Sequence, residues 1–377
     1  MTGRQKIEAA FSPGGSPGFA AVIPYEDLYV RDSWHRVTSC PWWWRHEPSI
    51  DRQLRWRAQA HAAMGHDWAY LPLFHPRAHR EHTRIEETNE GVFAVDVRDG
   101  VRTQLFPPEP GGWARAGAVQ SVHPSNPPDT IDDIDSLIPP PEPNWAESVV
   151  EDGRADLARA VLADFGRDLY PIGQVSTPLW NCYGLWGFEG LMERVIERPE
   201  LVKHACARFL DLSVAGAQVA AALGARGIWM EECLTDQIGP EAFAELHLPF
   251  LRRLVDAIRE LGLHSIYYFC GNPAGKWDLI LSAGADALAL EEGKKGFSID
   301  IEDVVDRVGG RCAVLGNLDA IGVLQDGSEE SLRAEIHRQA AAGRRNGGRF
   351  VMSLGSPATP DTPPERLRLY CDLVREA

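Results

Sequence analysis

Residues 227–233 read GIWMEEC, a short apolar run that ends in two carboxylates and a thiol. Four later strand-like runs have the same order, in which apolar residues precede polar or reactive ones: SIYYF (265–269), ALAL (287–290), CAVLG (312–316) and RFVMS (349–353). Between these runs, residues 240–262 and 328–345 have the periodicity of amphipathic helices. Because neighbouring parallel strands need a crossover connection, strands that alternate with helices predict a parallel sheet.

This alternation predicts an α/β fold, a (β/α)8 TIM barrel. The chain of 377 residues is long for an ordinary domain but normal for a barrel with insertions. Seven barrel strands are clear, and an eighth either lies within residues 19–24 or is not recognisable. We expect a single structural domain, in which residues 1–66 are a Trp- and His-rich extension packed on the barrel and residues 67–377 are the barrel. Residues 85–143 are an insertion with a β-hairpin, whose Asp-Gly pair at 99–100 is typical of a type I′ turn.

Composition and charge exclude several classes of partner. The formal net charge of −16 argues against a nucleic-acid surface, since phosphate binding needs clustered Lys and Arg. The seven cysteines have no paired spacing, which fits a reducing compartment better than a disulfide framework. No signal-peptide core and no apolar run of membrane-spanning length is evident. The sequence therefore predicts a cytoplasmic protein with a small-molecule substrate and no membrane or nucleic-acid partner.

The residues that end the predicted strands form the candidate site. In a parallel barrel the catalytic groups lie where strands end, so five successive polar strand ends predict an enzyme. Because strand side chains alternate, only one residue of Glu231-Glu232 and one of Glu291-Glu292 is expected to face the barrel axis. We take Glu232, Cys270 and Glu292 as a zinc ligand set, since zinc accepts thiolate and carboxylate. A hydrogen-bonded polar site without metal is an alternative of about equal weight.

Seven segments resemble the uroporphyrinogen decarboxylase superfamily, which includes cobalamin-linked methyltransferases acting on methanol, methylamines and aryl methyl ethers. Together they cover about half of the chain, and their order and spacing fit the family. The resemblance implies a (β/α)8 barrel with its site at the carboxyl ends of the strands. The segments are PLWNCYGLWGFEGLMERVIERPELV, GARGIWMEE, IGPEAFAELHLPFLRRLVDAIRELG, YYFCGN, GADALALEE, VLGNLDA and VMSLGSPATPDTPPERLR.

Two motifs distinguish the branches of this superfamily. Porphyrinogen decarboxylases carry an N-terminal arginine-rich motif for the substrate's carboxylates, which RDSWHR at residues 31–36 does not reproduce. The methyltransferase branch has His-x-Cys-Gly-Asn and a second cysteine near the last strand, which together hold zinc. Here Cys270-Gly271-Asn272 is present, but Tyr268 replaces the histidine and Gly355-Ser356-Pro357 has no cysteine. The chain is closest to the methyltransferase branch, with two of three usual ligands replaced.

The resemblance implies a methyltransferase that moves a methyl group from a small O-, N- or S-methyl substrate to a corrinoid protein or a thiol, with zinc assistance. The corrinoid is expected on a partner protein, because this chain has no recognisable corrinoid-binding segment. The resemblance also implies a homodimer. The leaving heteroatom needs a Lewis acid or a general acid, for which Glu232, Glu292 and Tyr268 are candidates. Cys270 is a metal ligand or, less favoured, a nucleophile.

Six further residues are assigned to substrate binding, five of them by analogy with the superfamily's loops: Trp180, Asn181, Tyr183, Asn317, Asp319 and, in addition, Ser353. For Asn317 and Asp319, capping of a loop is an equal alternative. Two other functions stay open. One is a metal-free decarboxylase or lyase for a small carboxylic acid, with Arg31, Arg77 or Arg80 as carboxylate ligands. The other is a noncatalytic ligand-binding member of the superfamily.

Overall fold

The computed structural model describes residues 1–109, 111, 123–293 and 296–377. Two groups of strands form two separate sheets, one of eight strands and one of three. The strands are β1 (Ala21–Val22), β2 (Trp68–Tyr70), β3 (Thr83–Thr88), β4 (Gly91–Asp96), β5 (Arg102–Leu105), β6 (Tyr170–Ser176), β7 (Gly227–Glu232), β8 (His264–Phe269), β9 (Ala287–Leu290), β10 (Ala313–Leu315) and β11 (Phe350–Ser353).

Helices surround the larger sheet and connect its strands. Turns of 3-10 helix (Trp42–His46) and π-helix (Phe243–His247 and Ala320–Gln325) supplement them. The α-helices are α1 (Gly3–Phe11), α2 (Glu26–Asp32), α3 (Trp34–Val37), α4 (Ile50–Met64), α5 (Arg77–His82), α6 (Ile131–Leu137), α7 (Trp145–Glu151), α8 (Asp156–Phe165), α9 (Pro178–Glu197), α10 (Pro199–Leu223), α11 (Pro240–Ala242), α12 (Leu248–Glu260), α13 (Trp277–Ser282), α14 (Ile301–Val308), α15 (Glu329–Arg345) and α16 (Pro364–Glu376).

The larger sheet is the predicted (β/α)8 barrel. Its order is β1-β11-β10-β9-β8-β7-β6-β2, and its paired neighbours are parallel. Alternate side chains of each strand face the interior or the helices, as the pleat requires. On β7, Trp229 packs in the interior cluster, whereas Ile228 and Met230 pack in the outer cluster against the helices. The same alternation decides which polar residues at the strand ends face the axis.

An aspartate closes the seam between the first and last strands of the sheet order, β1 and β2. Asp67 precedes β2; its backbone N–H donates to Ala21 O at 2.8 Å, and its Oδ2 accepts from Ala21 N at 2.8 Å. Its Oδ1 accepts from Arg375 of the last helix at 2.9 Å. One buried carboxylate therefore joins β1, β2 and α16.

The N-terminal part of the chain belongs to the barrel more closely than expected. Strand β1 lies within residues 19–24, where an eighth strand was one alternative, and it pairs with β11. Residues 1–66, expected to pack on the barrel as an extension, thus supply one of its strands. The reason is that the seam needs a strand beside β11, and residues 19–23 are buried and apolar.

The predicted hairpin is present, but it differs in extent and turn. Strands β4 and β5 pair antiparallel, and β3 extends them to three strands. The turn spans residues 97–100, and Gly100 alone within it has a positive φ, of 75°. A type I′ turn needs positive φ at both central residues, so the predicted turn type is wrong.

Helix α10 is long and apolar enough, by length and composition, to cross a membrane. Its apolar residues, however, pack within the protein: Leu201, Val202 and Leu210 are buried in the same cluster as the outer faces of the strands. A core helix has this composition too.

We expect Asp67→Ala to lower the free energy of unfolding by about 2–4 kcal/mol, because it leaves Ala21 N–H and the Arg375 guanidinium without their buried acceptor. Urea unfolding followed by circular dichroism measures the change. Asp168→Ala is the control: Asp168 pairs with Arg167 at the surface, and its loss should cost less than about 0.5 kcal/mol. Equal effects of the two substitutions would contradict the role given to the seam.

Candidate active site at the carboxyl ends of the strands

A cavity of about 310 Å³ lies at the carboxyl ends of β2, β6 and β7. We call it the mouth cavity; it is lined by Tyr25, Asp27, Leu28, Tyr70, Gln174 and Glu231. This is the end of a parallel barrel at which catalytic groups are found. Of its lining residues, Glu231 belongs to the strand ends that the sequence singles out.

Glu231, not its neighbour Glu232, faces the barrel axis. Glu231 follows the inward-facing Trp229 by two residues, and its Oε2 accepts from Gln174 Nε2 at 3.0 Å. Burial raises the pKa of the Glu231 carboxyl above its ordinary value, and hydrogen bonds from Gln174 and Tyr25 offset part of this. A carboxyl of this kind retains its proton at higher pH than an exposed glutamate, which suits a general acid.

Tyr25 holds an uncommon backbone conformation at this site. Its φ is +57°, in the left-handed region that costs a non-glycine residue of order 1 kcal/mol. Its hydroxyl accepts from Trp229 Nε1 at 3.1 Å, and its ring lies edge-on to Tyr268 at 6.1 Å. Burial and the Glu231 charge raise the pKa of Tyr25 well above its ordinary value. Tyr25 therefore stays protonated and can donate to Glu231.

A thiol and a carboxylate meet at the ends of β8 and β9. Cys270 Sγ donates to Glu291 Oε2 at 3.4 Å, and both residues are buried. A hydrogen bond with Cys270, followed by burial, raises the pKa of Cys233 well above its ordinary value. Cys233, Cys270 and Glu291 thus form a connected group across three successive strand ends. Sequence reasoning selected Cys270, but it selected Glu292 instead of Glu291.

Tyr268 fills the barrel interior beside Cys270. Its ring stacks on Trp229 at 5.0 Å, and its hydroxyl donates to Gly355 O at 3.2 Å. Burial raises the pKa of Tyr268 well above its ordinary value. The phenol is therefore neutral, and its proton is engaged by a backbone carbonyl.

Glu232 lies on the outer face of β7, between the sheet and the helices, and is fully buried. Its Oε2 accepts from the Thr177 hydroxyl, its Oε1 accepts from Leu234 N at 3.2 Å, and His247 Nδ1 lies 3.5 Å from its Oε2. Burial raises the pKa of Glu232 to about 7 and lowers that of His247 to about 3. Slightly below pH 7 both groups are therefore uncharged, and Glu232 packs as a neutral carboxyl between the sheet and the helices.

The predicted zinc ligands do not come together. Glu232 faces away from Cys270, because successive strand residues point to opposite faces, and Glu292 Oε2 accepts from Ser356 Oγ at 2.7 Å in the loop after β11. Across residues 1–109, 111, 123–293 and 296–377, no group of three or more His, Cys, Asp and Glu side chains has an arrangement that could hold a metal ion. The predicted set Glu232, Cys270 and Glu292 therefore does not fit the zinc that the resemblance implies.

Three of the predicted substrate residues lie at the start of α9. Trp180 and Tyr183 stack with their rings 5.3 Å apart and 8° from parallel, and Asn181 lies between them in sequence. The wall of the mouth cavity is formed by other residues. Ser353, also predicted, donates its Oγ proton to Leu354 O at 2.9 Å and is buried.

Asn317 and Asp319 make the contacts of loop-capping residues. Asn317 Nδ2 donates to Ile299 O at 2.8 Å and to Glu291 O at 3.3 Å, which holds the loop after β9. Asp319 Oδ1 accepts from the backbone of Ile321 and Gly322, each at 2.9 Å. These bonds favour the alternative of loop capping for both residues.

A second cavity, of about 280 Å³, adjoins the mouth cavity and shares Asp27, Tyr70 and Gln174 with it. We call it the side cavity; residues of α2, α4, α8 and β2 line most of it, and Arg57 is among them. Sequence reasoning missed Arg57, Tyr25 and Tyr70. It could have noted Gln174, the polar residue that follows Tyr170 and Ile172 at alternate positions of β6.

The arginines that the sequence suggested for a substrate carboxylate already have partners. Arg31 pairs with Asp32 at 2.7 Å, and Arg77 and Arg80 both contact Asp156. None of the three lines the mouth cavity.

Comparison with known proteins gives one family. The model of the family "Uroporphyrinogen decarboxylase (URO-D)" matches residues 118–377. A uroporphyrinogen decarboxylase from Xanthomonas axonopodis pv. citri is 27% identical over 239 residues, which cover 58% of this chain and 64% of that protein. A chloroplastic uroporphyrinogen decarboxylase 2 from Arabidopsis thaliana is 24% identical over 191 residues, 50% of this chain and 46% of that protein. The chain thus matches less than two thirds of the length of these relatives.

Among solved structures, a methyltransferase from Methanosarcina mazei is similar over the whole fold. It aligns with a TM-score of 0.67 and 16% sequence identity, and the alignment covers 100% of this chain and 99% of that one. At this identity the likeness establishes the barrel fold that the two proteins share.

The raised pKa of Glu232 has a consequence for stability. Between its ordinary pKa of 4.5 and the folded value of about 7, the folded protein holds a proton that the unfolded chain has released. The unfolded state then binds fewer protons, so stability falls as pH rises through this window. A neutral side chain at position 232 removes this dependence.

We therefore expect the stability of Glu232→Gln relative to the unsubstituted protein to increase by about 2–3 kcal/mol from pH 5 to pH 8. Urea unfolding at four pH values between these limits measures the difference. Glu241→Gln, an exposed position on α11, should keep a constant difference. Parallel stability curves for Glu232→Gln would show that Glu232 titrates as an ordinary carboxyl.

Proposed function

We propose that this chain, which belongs to the uroporphyrinogen decarboxylase (URO-D) family, is a methyltransferase for a small O-, N- or S-methyl compound. One observation carries the proposal: at the mouth of the barrel a partly buried glutamate, Glu231, has a raised pKa and faces a cavity of small-molecule size. The whole-fold likeness to a methyltransferase is consistent with it. The acceptor is the cobalt of a corrinoid on a partner protein, or a thiol.

The chemistry needs a proton at the substrate's heteroatom. In the transfer, the bond from the heteroatom to the methyl carbon breaks and its electron pair stays on the heteroatom, while the acceptor's electron pair forms the new bond to carbon. The Glu231 carboxyl gives its proton to the heteroatom, so that the product leaves as a neutral alcohol, amine or thiol. Water then returns a proton to Glu231.

Neighbouring residues hold Glu231 for this role. Gln174 donates to Oε2 at 3.0 Å, which fixes the orientation of the carboxyl. Tyr25 is anchored by Trp229 and also donates to the Glu231 carboxyl. Cys270, bonded to Glu291, is the second reactive group of the site. Among the described residues, no group of side chains has an arrangement that fits the zinc implied by the resemblance, and the proposed transfer does not involve zinc.

A second candidate function is a decarboxylase or lyase for a small carboxylic acid. The side cavity supports it, because Arg57 presents a half-buried positive charge there. In this reaction the bond between the carboxylate and its carbon breaks, carbon dioxide leaves, and the electron pair remains on carbon. Glu231 would protonate that carbon. The two functions share the acid and differ in the bond that breaks.

The test offers the protein reduced cob(I)alamin with a panel of methyl ethers, methylamines and methyl thioethers, and separately a panel of carboxylic acids. Formation of methylcobalamin supports methyl transfer, whereas release of carbon dioxide selects the second function. Glu231→Gln should lower kcat about 10²–10⁴-fold with little change in KM, since the acid acts in the transition state.

Glu241→Gln is the matched control, because it makes the same substitution at an exposed glutamate outside the site. It should retain full activity. Full activity of Glu231→Gln would overturn the role of Glu231, and no reaction of the unsubstituted protein with either panel would overturn both functions.

A further inference from the structure

We propose that the side cavity binds a small organic carboxylate with an apolar body, and that Arg57 is its counter-ion. This names the substrate class of the adjoining site, and to that extent it rests on the proposed function. The binding itself is testable without any reaction.

Arg57 is a half-buried cation without a carboxylate partner among the described residues. Its Nη1 donates to Gln53 Oε1 at 2.5 Å and to Gln53 O at 3.4 Å, and its guanidinium lies 4.1 Å from the Trp56 ring centroid. No carboxylate of the described residues forms an ion pair with it; Asp27 acts only through a longer Coulombic attraction. Burial lowers the pKa of Arg57 to about 10, which leaves it charged at neutral pH. Buried charges in proteins are normally paired, so a ligand anion would supply what the chain does not.

Nearby charges favour an anion further. Arg45 lies close enough to lower the pKa of Arg57, and its own Nη1 is buried with no hydrogen-bond partner among the described residues. Glu26 is the buried carboxyl of the cavity wall, and burial raises its pKa well above the ordinary value, which favours its neutral form. Asp27, at the exposed rim, is the competing negative charge.

Three polar atoms in the wall of the side cavity also have no hydrogen-bond partner among the described residues. Within the described residues, Tyr70 Oη, His61 Nδ1 and His66 Nδ1 are buried without a hydrogen bond, and all three side chains line the side cavity. Burial lowers the pKa of His61, and lowers that of His66 well below its ordinary value, so both rings are neutral. Burial keeps Tyr70 protonated. Its hydroxyl can therefore donate to a carboxylate, at a cost to the empty protein that binding would remove.

The remaining wall fixes the rest of the ligand. It is apolar and partly aromatic, formed by Val30, Trp56, Met64, Trp68, Leu71, Val161, Phe165 and Leu169. A volume of about 280 Å³ admits a molecule of the size of a substituted benzoate or a short fatty acid and not a tetrapyrrole. Because Tyr70 and Gln174 line both cavities, the far end of such a ligand would face Glu231.

Titration calorimetry with benzoate and hexanoate, each compared with its uncharged amide, tests the inference. We expect each acid to bind at least about tenfold more tightly than its amide, as a charge-assisted hydrogen bond provides. Arg57→Gln should remove this preference while the amides bind unchanged. Arg57→Lys, which keeps the charge but not the two-pronged geometry, should retain part of it. Tyr70→Phe should weaken both acids several-fold.

Arg55→Gln is the matched control, because Arg55 is an exposed arginine on the same helix that lies over Trp44. It should bind both acids as the unsubstituted protein does. The inference is overturned if neither acid is preferred over its amide, or if the preference survives Arg57→Gln. The comparison of acid with amide in the unsubstituted protein decides the question even if a variant fails to fold.

The Glu231→Gln variant separates this inference from the proposed function. It should bind benzoate and hexanoate within about twofold of the unsubstituted protein, because Glu231 lines the mouth cavity and not the side cavity. Arg57-dependent binding without any turnover would uphold the carboxylate site and reject the proposed function. Turnover of uncharged methyl compounds without any preference for acids would do the reverse.

Discussion

The strict alternation of side chains along parallel strands is the constraint on which this site depends. Closing the sheet gives each strand an inner and an outer face, and a residue cannot change its face without a shift in register. On β7 the inner face carries Trp229 and then Glu231, so Glu232 is committed to the helical layer with His247 and Thr177. On β8 the inner face carries Tyr268 and Cys270. The two glutamates of one dipeptide therefore have different environments and different roles.

Both cavities contain ionisable side chains whose burial costs free energy that the protein only partly offsets. Burial raises the pKa of Glu231 and of Tyr70 and lowers the pKa of Arg57, and each shift favours the neutral form of the side chain. The protein offsets part of this cost at Glu231 with Gln174 and Tyr25, but it offsets little of it at Arg57. Functional sites often retain this unfavourable free energy of burial, because a bound substrate supplies the missing interactions. The Glu231 acid therefore has supporting hydrogen-bond donors, whereas Arg57 has no carboxylate partner among the described residues.

Much of the fold could be predicted from the sequence, because the runs at 227–233 and 287–292 have the composition and spacing of buried strands. The structure places Cys270 and Tyr268, two of the residues selected from the sequence, in the interior cluster of the barrel. Which member of each Glu-Glu pair faces the axis could not be read from the sequence, since composition does not fix the phase of a pleat. Arg57 could not be identified from the sequence for another reason. It is distinguished by having no carboxylate partner among the described residues, and only the packed structure shows this.

The two departures from the family's zinc motif fit each other in space. Tyr268, where related enzymes have histidine, stacks on Trp229 and donates its hydroxyl proton to Gly355 O. Gly355 precedes Ser356, which stands where the resemblance implies a cysteine, and Ser356 Oγ donates to Glu292 Oε2 at 2.7 Å. A cysteine at 356 would replace this hydroxyl donor with a weaker thiol donor. Restoring histidine at 268 would in turn leave the Gly355 carbonyl without its donor. Because both replacements take part in hydrogen bonds of this site, a single substitution is not expected to restore the ligand set that the resemblance implies.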